Sequence, residues 1–375
     1  MKVEWKKLET YIGFEQPTPY LVNSTEYDDS YDTPVLTAGQ SLLLGYTDEK
    51  DGIYKASKYN PCIIFDDFTT SFHWIDFNFK VKSSAMKMLR PKNEDINFRY
   101  VYYAMLGINF VPGGHQRHWI SIYSQFEIPI PPLSEQERIV GILDTFTTSI
   151  DNLKAQITQR RKQYEHYRDQ LFTFKESEIK EYLSFGSDFV LKARIGWQGL
   201  TKKEYKNEGG YKLITGTDFT SHNRIDFAHC VYIDKERYDQ DPNIQIQNDD
   251  VLITKDGTLG KIAYVDNLDM PATLNGGVFV VRDKEKRVSH KLLMYYLTSF
   301  HFTNWMKQNH TQGSIQHLTQ GLLSKFKIPV VSVEKQIKIV RILDSFESSI
   351  RNLEAQLVER QKQYEYYRNK LLTFE

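Results

Sequence analysis

The chain has little cysteine, no net charge and no long apolar run, and each shortage excludes something. Only two cysteines occur in 375 residues, Cys62 and Cys230, far apart in the chain. A disulfide framework and a cysteine-based zinc site are both excluded, and a reducing compartment is expected. Lysine plus arginine equals aspartate plus glutamate at 48 each. The chain is therefore not a generally basic nucleic-acid binder, and any basic face has to be local. No run of roughly 18 uncharged apolar residues spans a bilayer, and the N-terminal string MKVEWKKLETYIGF lacks the apolar stretch of a signal peptide. A cytoplasmic protein of two domains, or one large one, is expected.

What the chain does have is a repeat. Residues 128–174 align without a gap to 328–374, with about 25 of the 47 positions identical. In the first copy Ile139, Leu143, Phe146, Ile150, Leu153, Ile157, Arg160, Tyr164, Tyr167 and Leu171 follow four-then-three spacing, which predicts one face of a long helix. The second copy repeats the face with Ile339, Leu343, Phe346, Ile350, Leu353, Leu357, Arg360, Tyr364, Tyr367 and Leu371. Each helix of roughly 40 residues would be about 60 Å long. PPLSEQE before the first suggests a capping box from Ser134 and Glu137; PVVSVEK before the second has no matching acid, so a weaker cap is expected there.

The direction of pairing is set by the seam. A parallel pair in register places Arg160 beside Arg360 in one half-buried layer. An antiparallel pair brings Arg160 near Ile350, Tyr164 near Phe346, Tyr167 near Leu343 and Leu171 near Ile339, with the arginine heads reaching outward. The expectation is an α+β chain with an intramolecular antiparallel coiled coil and a pseudo-twofold relation. Its order is block 1–131, helix 132–176, block 177–331, helix 332–375. A dimerisation coiled coil between chains is the plainer alternative.

The blocks read mostly as strands. CIIF at Cys62–Phe65 is an apolar strand, followed after a polar turn by alternation through Phe77, Phe79 and Val81; DDVLITKDGTLGKIAYVD is a hairpin turning at Asp256-Gly257. NGGVFVVRD adds a strand. FRYVYYAML and HKLLMYYLTSF are short helices, each followed by a polar loop bearing glycine. Those loops also align at the offset of the helices, with Gly113 matching Gly313 and Gln116 matching Gln316. The blocks are expected to be diverged copies of one fold.

No catalytic constellation is visible. GTLGK (Gly257–Lys261) lacks the spacing and the Ser/Thr of a phosphate loop and reads as a hairpin turn. His115 and His118 have no acidic or cysteine partner nearby and read as exposed or DNA-contacting side chains. Asp66 and Asp67 read as solvated acids of a turn, the alternative being a nuclease metal site. NPCI at Asn60 lacks the second proline and the aromatic of a methyltransferase motif. What remains suits binding. Thr69, Thr70 and Ser71 in one turn, Lys255, Thr258 and Lys261 in another, and Gln116, Arg117, Gln316 and His317 in the late loops are candidates to hold phosphates or read base edges.

The order of block, repeated helix, block, repeated helix resembles the specificity subunit of Type I restriction-modification systems. IPIPPLSEQERIVGILD (128–144) and IPVVSVEKQIKIVRILD (328–344) are similar to that family's entry into its helices, and LITKDGTLGKIAYVD and GSIQHLTQGLLSKFKIPV to pieces of its target recognition domains. The resemblance covers essentially the whole chain. It implies two target recognition domains, each reading half of a split double-stranded DNA site, with the helices fixing the gap and docking the methyltransferase subunits. It also implies no chemistry and no cofactor in this chain. Two adenine-N6 methyltransferase subunits using S-adenosylmethionine, and motor-nuclease subunits using ATP and Mg, would supply those. The neutral charge implies weak DNA binding by the isolated chain, with the methyltransferase subunits adding most of the clamp. A coiled-coil protein scaffold without DNA readout is the alternative function.

Overall fold

The computed structural model describes residues 3–374 apart from 40, 115, 196–198 and 310–317. The chain is α+β and forms two compact units, Met1–Leu153 with Gln356–Glu375, and Lys154–Ala355. Two long helices, Leu133–Leu171 and Val333–Leu372, each contribute to both units, so compactness cuts across the helices. Among the described residues no helix is long and apolar enough to cross a membrane.

Among the described residues the first unit has the strands β1 (Glu4–Lys7), β2 (Ile12–Glu15), β3 (Thr33–Leu36), β4 (Leu43–Thr47), β5 (Cys62–Asp66), β6 (Phe72–Ile75), β7 (Lys80–Val81), β8 (Met86–Pro91) and β9 (Glu127–Ile130). They form an antiparallel sheet in the order β2-β8-β5-β6, a sheet β4-β3-β7 in which β3 and β7 run parallel, and a pair β1-β9. The second unit uses β10 (Glu181–Ser184), β11 (Phe189–Lys192), β12 (Lys212–Ile214), β13 (Val231–Tyr232), β14 (Val251–Thr254), β15 (Ile262–Tyr264), β16 (Ala272–Leu274), β17 (Val278–Asp283) and β18 (Lys327–Val330). Its sheets are β11-β17-β14-β15, β13-β12-β16 with β12 and β16 parallel, and β10-β18. The topology is the same strand for strand.

The central strands show why this sequence reads as apolar runs. In β5, Ile63 and Phe65 enter one core and Cys62 and Ile64 another. In β14, Val251 and Ile253 enter one core and Leu252 the other. A strand buried on both faces needs no polar alternation. The alternation expected through Phe77 and Val81 does not form one strand. Strand β6 stops at Ile75, Phe77 is exposed, and Val81 belongs to β7 in the other sheet.

Each unit packs a short helix onto a long one. In the first, helix Phe98–Met105 shares a core with Ile139 and Leu143, against which Tyr364 and Leu371 of the second long helix also pack. In the second, helix His290–Thr298 shares a core with Ile339 and Leu343, joined by Tyr164 and Leu171. In both units the early half of one long helix meets the late half of the other, so the pair is antiparallel. Ile150 and Ile350 are buried, and Leu153 and Leu353 half-buried.

Two details of the seam differ from the sequence reading. Tyr167 stacks on Phe346 at 5.6 Å and Tyr367 on Phe146 at 5.3 Å, both tyrosines staying 40% or more exposed. Arg160 lies 5.9 Å over Phe346 and Arg360 5.7 Å over Phe146. The guanidinium heads cover phenyl faces, where cation–π attraction holds them, and do not simply reach into water.

The caps are also reversed. Ser134 is already inside the first long helix, whose first N–H groups at Glu135 and Gln136 donate to the Pro132 carbonyl at 2.9 and 3.1 Å. The second helix has the serine cap, because Ser332 Oγ accepts from Lys335 N at 3.3 Å.

Candidate nucleic-acid interface

In the first unit the candidate surface is built by three loops at one edge of its paired sheets, and the described residues of the second unit repeat their anchoring. The first is the β5–β6 turn and its counterpart, the β14–β15 turn. In β5–β6, Asp66 Oδ1 accepts from Phe68 N at 2.9 Å and Thr69 N at 2.8 Å, and its carbonyl accepts from Thr70 N at 2.9 Å. Thr70 takes a left-handed φ of 59° to close the turn and is buried. Ser71 is half-buried, its hydroxyl donating to the Ala38 carbonyl. Of the three candidates in this turn, only Thr69 is exposed.

In β14–β15, Thr254 organises the loop. Its hydroxyl donates to the Thr258 carbonyl and accepts from Lys261 N at 2.9 Å. Gly257 and Gly260 each have φ of 71°, a conformation that any side chain with a Cβ adopts only under strain. GTLGK is thus a hairpin turn. Thr258 and Lys261 are exposed at it, while Lys255 is half-buried, 3.6 Å from Asp256 and 5.9 Å from the Phe279 ring.

The second loop precedes the next strand of the same sheet. Asp67 N donates to the Ala85 carbonyl at 2.9 Å, and Lys255 N to the Gly277 carbonyl at 2.8 Å. The third is the late polar loop. His118 N donates to the Asp67 carbonyl at 2.8 Å, and Leu318 N to the Lys255 carbonyl at 3.2 Å. These bonds bring the exposed Gln116 and Arg117 to the Thr69 turn. Gln316 and His317 lie outside the described residues, as do His115 and Gly313.

Two readings of this region are corrected. His118 is fully buried, 5.5 Å from the Phe110 ring, because its backbone anchors the loop to Asp67. Asp67 is not solvated either. It is 1% exposed and 3.2 Å from the ammonium of Lys87, and its Oδ1 accepts from Trp119 N at 2.8 Å. Asp66 is occupied in capping its own turn. Neither acid is presented as a metal ligand, and no group of three or more His, Cys, Asp or Glu able to hold a metal occurs among the described residues.

The second unit also shows residues that the sequence reading missed. A cleft of about 400 Å³ is lined by Thr215, Thr217, Thr258, Lys261 and Asn275. A second of about 450 Å³, on the other side of the turn, is lined by Lys255, Thr319 and Gln320, with Arg194 at its wall. Arg194 is buried and bonded to the Leu274 carbonyl at 2.9 Å, so it braces the cleft. The string TGTD after the strand KLI was the available signal. Only the parallel pairing of β12 with β16 brings it beside Asn275. Hydroxyls, amides and one exposed ammonium around glycines can donate to phosphate oxygens and meet base edges, but offer no nucleophile–base pair.

The comparisons with known proteins agree with this architecture. The S subunit of a Type I restriction-modification system from M. genitalium superimposes with a TM-score of 0.63 at 17% identity, covering 100% of this chain and 97% of that one. A chain from a structure of type I R-M complex assembly and conformational transition gives 0.59 at 15% identity, covering 99% and 97%. Both show the fold. In sequence, the EcoR124I/EcoR124II specificity subunit of Escherichia coli is 38% identical over 394 residues, covering 100% of this chain and 95% of that protein. The chain belongs to the Type I restriction modification DNA specificity domain family, which it matches over residues 15–160 and 197–360.

Proposed function

We infer that this chain is the DNA-reading subunit of a Type I restriction-modification assembly, each unit reading one half of a split site in double-stranded DNA. One observation carries the reading. The same strand orders and the same backbone anchors recur in both units, while the turns between matching strands expose different side chains, Thr69 in β5–β6 and Thr258 and Lys261 in β14–β15. A repeated framework with different tips is what two readers of different base sequences require.

In this reading the chain positions and does no chemistry. Two adenine-N6 methyltransferase subunits bring S-adenosylmethionine, motor-nuclease subunits bring ATP and Mg, and the assembly works in the cytoplasm. The continuous helices hold the two readers at a fixed gap and offer the methyltransferase subunits their seat. The neutral total charge leaves most phosphate contacts to those partners, so the isolated chain binds DNA weakly and with a shallow salt dependence.

The test is to co-express the chain with candidate methyltransferase subunits in cells lacking N6-methyladenine and to map the modified bases. A split motif with one fixed gap is expected. A stable complex that leaves the genome unmethylated would favour the scaffold reading.

A further inference from the structure

We propose that the buried Asp67–Lys87 ion pair is the positioning device of the first unit's reading surface, locking the Thr69 turn and the Gln116–Arg117 loop into one register. The inference rests on the DNA-reading function above and names residues that do not themselves touch DNA.

Asp67 is the first residue after β5 and is tied in four directions. Its N–H bonds to the Ala85 carbonyl at 2.9 Å, its carbonyl to His118 N at 2.8 Å, its Oδ1 to Trp119 N at 2.8 Å, and its Oδ2 lies 3.2 Å from Lys87 Nζ. Lys87 in turn donates to Gln16 Oε1 at 3.1 Å and sits 5.3 Å over the Phe14 ring. Four segments therefore meet at one pair, both members of which are 1% exposed: the end of β2, the β5–β6 turn, the residues before β8, and the late loop. Thr69 is two residues along the chain from this knot, and Arg117 one residue from His118.

The second unit shows that the strand register forms without an ion pair between these two positions. Phe65 pairs with Lys87 and Ile253 with Phe279, so Lys87 and Phe279 hold the same register. Lys255 stands at the position of Asp67, making the same two backbone bonds, to Gly277 and Leu318. There the cross-strand ion pair is replaced by a half-buried lysine 5.9 Å from the Phe279 ring and 3.6 Å from its chain neighbour Asp256. Burying two charges is costly in desolvation, and an apolar partner often serves stability as well. What the carboxylate adds is direction. Its second oxygen fixes Trp119 N, and with it the Gln116–Arg117 loop, whereas the lysine-on-phenyl contact has no fixed hydrogen-bond geometry.

The experiment uses the full chain with its methyltransferase subunits and reads methylation on DNA panels in which each base of each half-site is varied. The variants are Asp67→Asn, Lys87→Met and the charge-keeping Lys87→Arg. Asp67→Asn and Lys87→Met should relax base discrimination by about tenfold in one half-site, the same half affected by Arg117→Ala, with the other half unchanged. Lys87→Arg should recover most of it. If both halves relax together, or discrimination stays within twofold of the parent, or Lys87→Arg behaves as Lys87→Met, the positioning role is wrong. If the parent complex itself gives no split motif, the DNA-reading function fails first, and this inference falls with it.

Discussion

The Tyr103 phenol donates a hydrogen bond to Oδ1 of Asp144 at 2.5 Å. The second unit repeats the relationship, with Tyr295 on Asp344 at 2.7 Å. Each carboxylate also holds a cation from the same short helix, Arg99 at 2.8 Å and Lys291 at 2.9 Å. About two turns nearer each long helix's start, Gln136 accepts from Asn97 N and Gln336 from Ser289 N, both at 2.9 Å. Asn97 and Ser289 are the caps of the two short helices. A glutamine and an aspartate on one face of a long helix thus form a socket for each block, two helical features read by two others.

Removing the carboxylate should loosen one block. Asp144→Ala removes the charged acceptor of Arg99 and Tyr103, leaving Arg99 on the Tyr103 hydroxyl and Tyr103 near Thr147, and is expected to cost about 2 kcal/mol, with Asp344→Ala similar. Urea unfolding of each variant followed by tryptophan fluorescence checks this. A loss under 0.5 kcal/mol, on the order of a surface substitution, would mean the socket is incidental.

The buried phenols make stability sensitive to alkali. Burial, with the Asp344 hydrogen bond adding to it, raises the Tyr295 phenol well above its ordinary range, and burial with the Asp144 bond raises Tyr103 likewise. The folded state therefore holds these protons more tightly than the unfolded chain, whose phenols titrate near pH 10. Their contribution is complete below about pH 10 and is lost as pH rises toward the folded-state values. Urea midpoints should fall as pH rises above about 10, and Tyr295→Phe should flatten that part of the fall.

The seam should be uneven in its energetics. Leu343 is fully buried, and Leu343→Ala is expected to cost about 3 kcal/mol. Tyr167 is 47% exposed although it stacks on Phe346, so Tyr167→Ala should cost about 1 kcal/mol. Thermal unfolding that ranks them the other way would contradict the packing described for this unit.

The exposed cations should act on separate half-sites. Arg117→Ala and Lys261→Ala are each expected to weaken binding of the assembled complex and lower the salt slope by about 1 if they meet phosphate. If either contacts a base edge, about 1–3 kcal/mol of discrimination disappears in its own half only. Competition binding on half-site variants separates these outcomes, and equal loss in both halves would disconnect the loops from the split site.

The sockets show why part of the site was hard to read. Gln136 and Asp144 recur as Gln336 and Asp344 within the repeat, so the helix side was in plain view. Their partners Asn97 and Ser289 lie in diverged blocks and fall out of step with the helix repeat. The hairpin turns were legible because Asp-Gly and a left-handed glycine announce themselves locally. The burial of Asp67, Thr70 and His118 was not, since "DDFTT" and "QRH" look equally polar whether water or a lysine faces them.

By itself, the sequence determined the two long helices, their apolar face and their antiparallel pairing, because a heptad pattern and a clash of like charges are properties of neighbouring residues. It also determined that the blocks are copies and that their turns carry the exposed polar groups. Only the tertiary structure decided which of those groups are free. Parallel pairing of β3 with β7, and of β12 with β16, brings loops far apart in the chain to one edge. A buried ion pair or a lysine on a ring then fixes them there, and burial is decided by long-range contacts that no local pattern encodes.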